Sequence, residues 1–425
     1  MSSLPASPAR RIVRNAASIL LGDGAGEIFV GYAIVLAAGS LGPAGFGRLS
    51  EAQAFMEPFD SLAALGLENV AMVMAARRGD CDPQLRGTVW GIRMISACVA
   101  AVLGMGVAFA TGRGSLYPML IALAIGMLVT PLSMVSLLPF RFHQTVHRRI
   151  ALPFVVGLVR LGCSYLAFWF LRLPVGFQLA TLVASIVGAG INWGWARRVY
   201  GGHLRFDKQL AFEMLRLGWP AAALEFLVSV YMRAGYFFLH GAGSAVQGQY
   251  AAADRLLKPV MAVAGALFLS ALPTVAGMVA ARRFVDLIRT YRRSVLQAVF
   301  GFIPFAALAW VLAGVLLERF APAYSAAILP FRVLIIGAFF MFLNMLSTTY
   351  IVSLGQFRAM MIVSVFNLLV YLGLATQLIP RYGALGAAIS TTVMEAINTV
   401  VQLNIVYRLL ARAVRDDGAP GVGTS

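Results

Sequence analysis

Two sets of charged residues stand inside apolar segments, where charge is costly. The first is Arg233, Arg255 and Lys258, interleaved with Glu225 and Asp254. A guanidinium presents a planar fork of N–H donors that matches phosphate oxygens two at a time. Arginines in an apolar setting therefore suit an anionic phosphate or diphosphate group. Each has a plainer alternative. Arg233 can pair with Glu225 two turns away, and Asp254 with Lys258 at i,i+4. Arg255 lies about 100° around the helix from Asp254 and is freer to face a ligand. The second set is acidic: Asp23, Glu27, Glu68 and Glu225. Asp23 and Glu27 are an i,i+4 pair on one helix face. Two carboxylates that close in a low dielectric do not both ionise, so one holds a proton, or a cation or arginine sits between them. That is the chemistry of a cation- or proton-coupling site; pairing with an arginine of another span, or with the positive end of the first helix, is its alternative. An ionised group at a membrane centre costs about 2.5–3.5 kcal/mol, so function is the default reading for both sets.

The elements that must carry these groups follow from composition. The 425 residues are 60% hydrophobic and only 12% charged, against about 25% charged in soluble proteins. Runs of roughly 20 apolar residues cross a hydrocarbon core as helices. Twelve are predicted, over residues 15–39, 49–76, 87–110, 115–138, 151–171, 175–196, 212–239, 249–279, 293–317, 326–353, 358–379 and 384–410. β-barrel alternation is absent, which leaves an all-α integral membrane protein. With the N-terminus placed in the cytoplasm, 22 of the 34 Lys/Arg fall on the cytoplasmic side and five on the other. This split puts both termini in the cytoplasm and accounts for the net charge of +17 by topology, not by nucleic acid.

The expected organisation is a cytoplasmic tail (1–14), a six-helix lobe (15–196), a basic cytoplasmic linker (197–211), a second six-helix lobe (212–410) and a C-terminal tail (411–425). Glu51 is expected to cap the second span, with Glu57 and Asp60 in its periplasmic half and Glu68 at mid-span. Arg93, Arg160, Arg216 and Arg332 fall near predicted span ends and are expected to snorkel to the interface. Cys81, Cys98 and Cys163 have no pairing or metal spacing and read as packing residues. His143 and His147 read as solvated loop residues. Neither Lys208 nor Lys258 follows a glycine, so no nucleotide-binding loop exists, and no nucleophile–base constellation is legible. The pattern is that of a transporter without its own motor and not of an enzyme; no cofactor is expected beyond H+ or Na+ as a coupling ion.

A Gly/Pro-rich break, Leu41–Gly47, separates the first two spans, and a weaker copy follows near position 243. Gly42, Gly47 and Ala52 correspond to Gly243, Gly248 and Ala253. Two copies half a chain apart point to a duplicated bundle, the internal symmetry of secondary transporters.

LGPAGFG after the first span, LGLENV in the second, GQYAAADRL at 248–256 and Asn367 followed by LIPRYGALGAAISTTVME at 378–395 together resemble bacterial polysaccharide-biosynthesis flippases of the multidrug/oligosaccharidyl-lipid/polysaccharide exporter superfamily. The resemblance covers residues 10–412. It implies two pseudo-symmetric six-helix lobes around a central cavity in the bacterial inner membrane. It also implies an undecaprenyl-diphosphate-linked oligosaccharide as substrate, moved by ion-coupled alternating access for O-antigen or exopolysaccharide assembly, with a glycan polymerase and export machinery as partners. A multidrug-type antiporter of the same superfamily is the rival.

Overall fold

The structure is a computed structural model. It describes the backbone at residues 8–143, 145 and 151–418, and the side chains among these except 8–25, 260, 262–274, 316, 320 and 416–418. Every predicted span is helical, within the elements α1 (Pro8–Ala64), α2 (Leu67–Arg78), α3 (Pro83–Ala110), α4 (Tyr117–Phe142), α5 (Ala151–Phe170), α6 (Pro174–Tyr200), α7 (Lys208–Leu239), α8 (Ser244–Ala280), α9 (Phe284–Phe320), α10 (Ile328–Ser353), α11 (Phe357–Tyr382) and α12 (Ala384–Gly418). Among the described residues, ten helical stretches are long and apolar enough to cross a membrane. One of them, Gly26–Arg78, has 53 residues, roughly 80 Å of helix at 1.5 Å per residue, far beyond a core of about 30 Å.

Two breaks divide that stretch. The seven-residue turn expected at Leu41–Gly47 contracts to one non-helical residue, Gly42 (φ 61°, ψ 179°). Only glycine adopts such a conformation readily, and Pro43 restarts the helix with its φ already set. The second break is not predicted. Leu65 and Gly66 both take positive φ (51° and 58°) and split the second span into the end of α1 and the short α2. A side-chain carbon at Gly66 would stand 3.1 Å from Ala221 Cβ, and one at Gly218 would stand 2.9 Å from the Leu65 carbonyl oxygen. The break in the second span therefore packs against the Gly218–Ala222 stretch of α7, which contains Pro220.

The chain divides into two compact units, Met1–Ser229 and Val230–Ser425, with the division inside α7. In the first unit α4 packs on α6, and α1 packs on α5 and α3. Gly26 makes the α1–α5 approach possible: a side-chain carbon there would lie 2.8 Å from the Pro153 carbonyl oxygen. Leu67, Met74, Leu85, Leu138, Leu210 and Met214 form an apolar cluster that includes Cys81. Burial pushes the Cys81 thiol up to about 12; Cys98, by contrast, is exposed on α3. In the second unit α10 packs on α12 and α8, and α11 on α12.

The segment 201–207 is held against the start of α3. Arg86 donates to the Tyr200 and Gly201 carbonyls at 3.0 and 3.2 Å, and the Arg205 N–H donates to Pro83 O at 3.1 Å. Asp207 caps α7 by accepting from the Gln209 and Leu210 N–H groups, and Gln84 donates to its other oxygen. The backbone N–H of Leu210, ahead of the other donors, holds the Asp207 carboxyl below the usual carboxylate range. Because its folded pKa is depressed, the cap stabilises fully above the unfolded value of about 3.9 and is lost as pH falls through the lower folded value. Limited proteolysis at 201–207 should show Asp207→Asn cleaved faster than wild type at neutral pH. The difference should vanish at the acid end of that window.

Candidate functional site

Arg233 lies six residues before the end of α7, roughly 9 Å along the axis, and is half-buried. Its Nη1 meets Asp254 Oδ2 on α8 at 3.3 Å, with side-chain exposures of 15% and 23%. The Tyr236 hydroxyl donates to the same oxygen at 3.1 Å. The partner of Arg233 is thus Asp254 and not the Glu225 that helical spacing offers, because the turn at 240–243 folds α8 back beside α7. Arg255 is half-buried within electrostatic reach of Tyr236, while Lys258 is exposed one turn further on. A small cavity beside Asp254 is lined by Tyr231, Tyr250, Tyr371 and Thr391. The three expected phosphate-binding cations therefore share one stretch of α7 and α8 in the second unit. Asp254 is the counter-charge of Arg233.

Among the described residues, the expected coupling carboxylates are not gathered. Asp23 lies outside the described side chains. Glu27 is exposed on α1, and Glu225 is exposed on α7. Glu68 is not a mid-helix residue: the break at Leu65–Gly66 places it in the first turn of α2, where it pairs with Arg141 of α4. Glu51 does not cap a helix either, since α1 runs through it. It is buried in an ion pair with Arg113, whose guanidinium also sits 5.0 Å from the Phe55 ring.

Arg93 corrects a further expectation. It is 8% exposed and does not snorkel. Asp60 and Glu225 are its charged neighbours. Helix α3 starts at Pro83 after an Asp82 cap, four residues earlier than hydropathy suggests, so Arg93 lies about 15 Å into it. The Asp-Pro pair is the signal that locates this start. Nearby, Gln53, Glu57, Asp60, Thr130, Gln178, Thr181 and Ser185 line a polar cavity of about 240 Å³ between α1, α4 and α6. Gln53 donates to Gln178 across it at 2.9 Å. His143 is not a free loop residue: it stacks on Tyr200 at 5.2 Å and lies 3.7 Å from Asp80. Among the described residues no group of three or more His, Cys, Asp or Glu could hold a metal ion.

Solved transporter structures share this architecture. An inward-facing multidrug resistance MATE family transporter of the MOP superfamily aligns with a TM-score of 0.76 at 13% identity, covering 96% of this chain and all of that one. An outward-facing one aligns at 0.67 and 15%, covering 96% and 97%. A MOP superfamily transporter from Pyrococcus furiosus, whose binding pocket is described as having reverse polarity, aligns at 0.66 and 14%, covering 96% and 97%. At these identities the likeness is one of fold. No curated protein matches the sequence. Residues 12–279 match the family described as polysaccharide biosynthesis protein. With that match over more than half its length, the chain belongs to the polysaccharide biosynthesis protein family and is a multi-pass membrane protein with a MATE-type fold.

Proposed function

We propose that the chain is a flippase that carries an undecaprenyl-diphosphate-linked oligosaccharide from the cytoplasmic to the periplasmic leaflet of the bacterial inner membrane, for O-antigen or exopolysaccharide assembly. Its termini are cytoplasmic, and H+ or Na+ drives alternating access through carboxylates drawn from Asp23, Glu27, Glu68 and Glu225. A glycan polymerase takes the product. The observation that carries this reading is Arg233, half-buried in α7 with Arg255 and Lys258 near it and one carboxylate, Asp254, as its partner. Arginine and lysine grouped on one stretch suit a diphosphate, and a guanidinium in a low-dielectric setting can bind it in bidentate fashion.

Arg233→Ala and Arg255→Ala should each abolish export in the native host, with undecaprenyl-linked repeat units accumulating while membrane levels of the protein stay normal. Unchanged surface glycan in both variants would remove these arginines from the site. The rival reading, a multidrug-type antiporter, draws on the cavity that holds Glu57 and Asp60 in the first unit, whose charge suits an organic cation. Deletion separates the two readings. Intact glycan with raised sensitivity to cationic drugs favours the antiporter.

A further inference from the structure

Glu395 on α12 is 3% exposed, and among the described residues no Lys, Arg or His pairs with it. It lies eleven residues into the helix, roughly 17 Å from the start, in the middle of a span. Its surroundings are amides. Asn344 Nδ2 of α10 donates to Glu395 Oε2 at 2.6 Å and to the Glu395 carbonyl at 3.1 Å, and Asn398 Nδ2 donates to Oε2 at 3.4 Å. Gln402 then donates to Asn398 Oδ1 and accepts from Thr348, also on α10. Asn344 is itself 5% exposed, yet its Oδ1 has no hydrogen-bond partner.

An ionised carboxylate in such a place would be buried without a counter-charge, at a cost that hydrogen bonds from two neutral amides do not offset. A metal cation fits poorly, because the groups aimed at Oε2 are N–H donors. A protonated carboxyl resolves both features. It removes the charge, and its O–H supplies a donor for the unpartnered Asn344 Oδ1, giving the two-bond pairing natural to a carboxylic acid and a primary amide. We propose that Glu395 is a proton-binding site, whose neutral acid joins α12 to α10 and whose release of H+ loosens that seam. The site binds one H+ in the reaction COO− + H+ ⇌ COOH. The ladder through Asn398 and Gln402 runs toward the end of α12 that carries Arg408, Arg412 and Arg415, which marks the side of exchange. The titratable group facing it from another element is Tyr231 of α7. The site does not depend on the identity of the cargo.

The test uses the full-length protein in nanodiscs, wild type and Glu395→Gln. An acid that stays neutral when folded gives its full stabilisation below the unfolded carboxylate pKa of about 4.3 and loses it as pH rises toward the folded value. The melting temperature of Glu395→Gln should therefore rise progressively relative to that of wild type as pH rises above the unfolded value of about 4.3. Infrared spectra of wild type near neutral pH should contain a protonated-carboxyl band, which the variant lacks. A melting gap that does not change with pH would overturn the proposal. So would a wild-type spectrum without any such band, a result that requires no variant to fold. A sodium-dependent rise in melting temperature at fixed pH, absent in Glu395→Gln, would replace the proton with a metal cation.

Discussion

Arg113→Ala should destabilise the first unit by about 3–5 kcal/mol, and Glu51→Ala should do the same. The two side chains are 7% and 4% exposed and face each other across 62 residues of sequence. Removing either takes the ion-pair partner from a buried charge, and Arg113→Ala also discards the contact with Phe55. Replacing the pair together with Glu51→Met and Arg113→Leu should recover most of the loss, since apolar side chains of similar size fill the site without a desolvation penalty. Thermal unfolding of the four proteins in one detergent gives the cycle and its coupling energy. Single losses under about 1 kcal/mol would place the pair in solvent and class it with ordinary surface ion pairs.

The second large effect concerns the connection between α6 and α7. A side-chain carbon at Gly87 would stand 2.3 Å from the Arg205 backbone nitrogen and 2.4 Å from its carbonyl oxygen. Backbone atoms held by the Pro83–Arg205 hydrogen bond cannot swing aside as a side chain can. Gly87→Val should therefore cost about 3 kcal/mol or more and free the 201–207 segment, so that trypsin cleaves at Arg205. Gly91→Val is the internal comparison. The nearest atoms to its new side chain are those of the Phe206 ring, from 2.6 Å, and the ring can turn away. Equal tryptic sensitivity in the two variants would mean that the segment is not fastened through Gly87.

The spans were legible because a hydrocarbon core imposes one length and one composition on whatever crosses it. The features that decide the chemistry were less so, each for its own reason. Leu65–Gly66–Leu67 is as apolar as the helix around it, so hydropathy passes over a break made by backbone dihedrals. Glu68 then reads as buried mid-span charge when it is a first-turn residue paired with Arg141. Arg233 and Asp254 were both identified from their types. Their pairing was not, because it depends on how α8 returns beside α7. Glu395 was visible as a residue of the last span, yet that no cation pairs with it among the described residues is a tertiary fact. Arg93 illustrates a boundary error: a helix start displaced by four residues turns a deep arginine into an apparent interfacial one.

Leu210 and Met214, near the start of α7, belong to the same apolar cluster as Leu67, Met74 and Leu85. The first bundle is therefore not finished when the sixth span leaves the ribosome. Until the chain has grown beyond Met214, the faces of α2 and α3 that those residues cover stay open. The nascent N-terminal half must wait in the membrane with that end unsealed. Its closure is thereby tied to the entry of the first helix of the second half, which makes α7 a timing element in biogenesis as well as a connection between the two units.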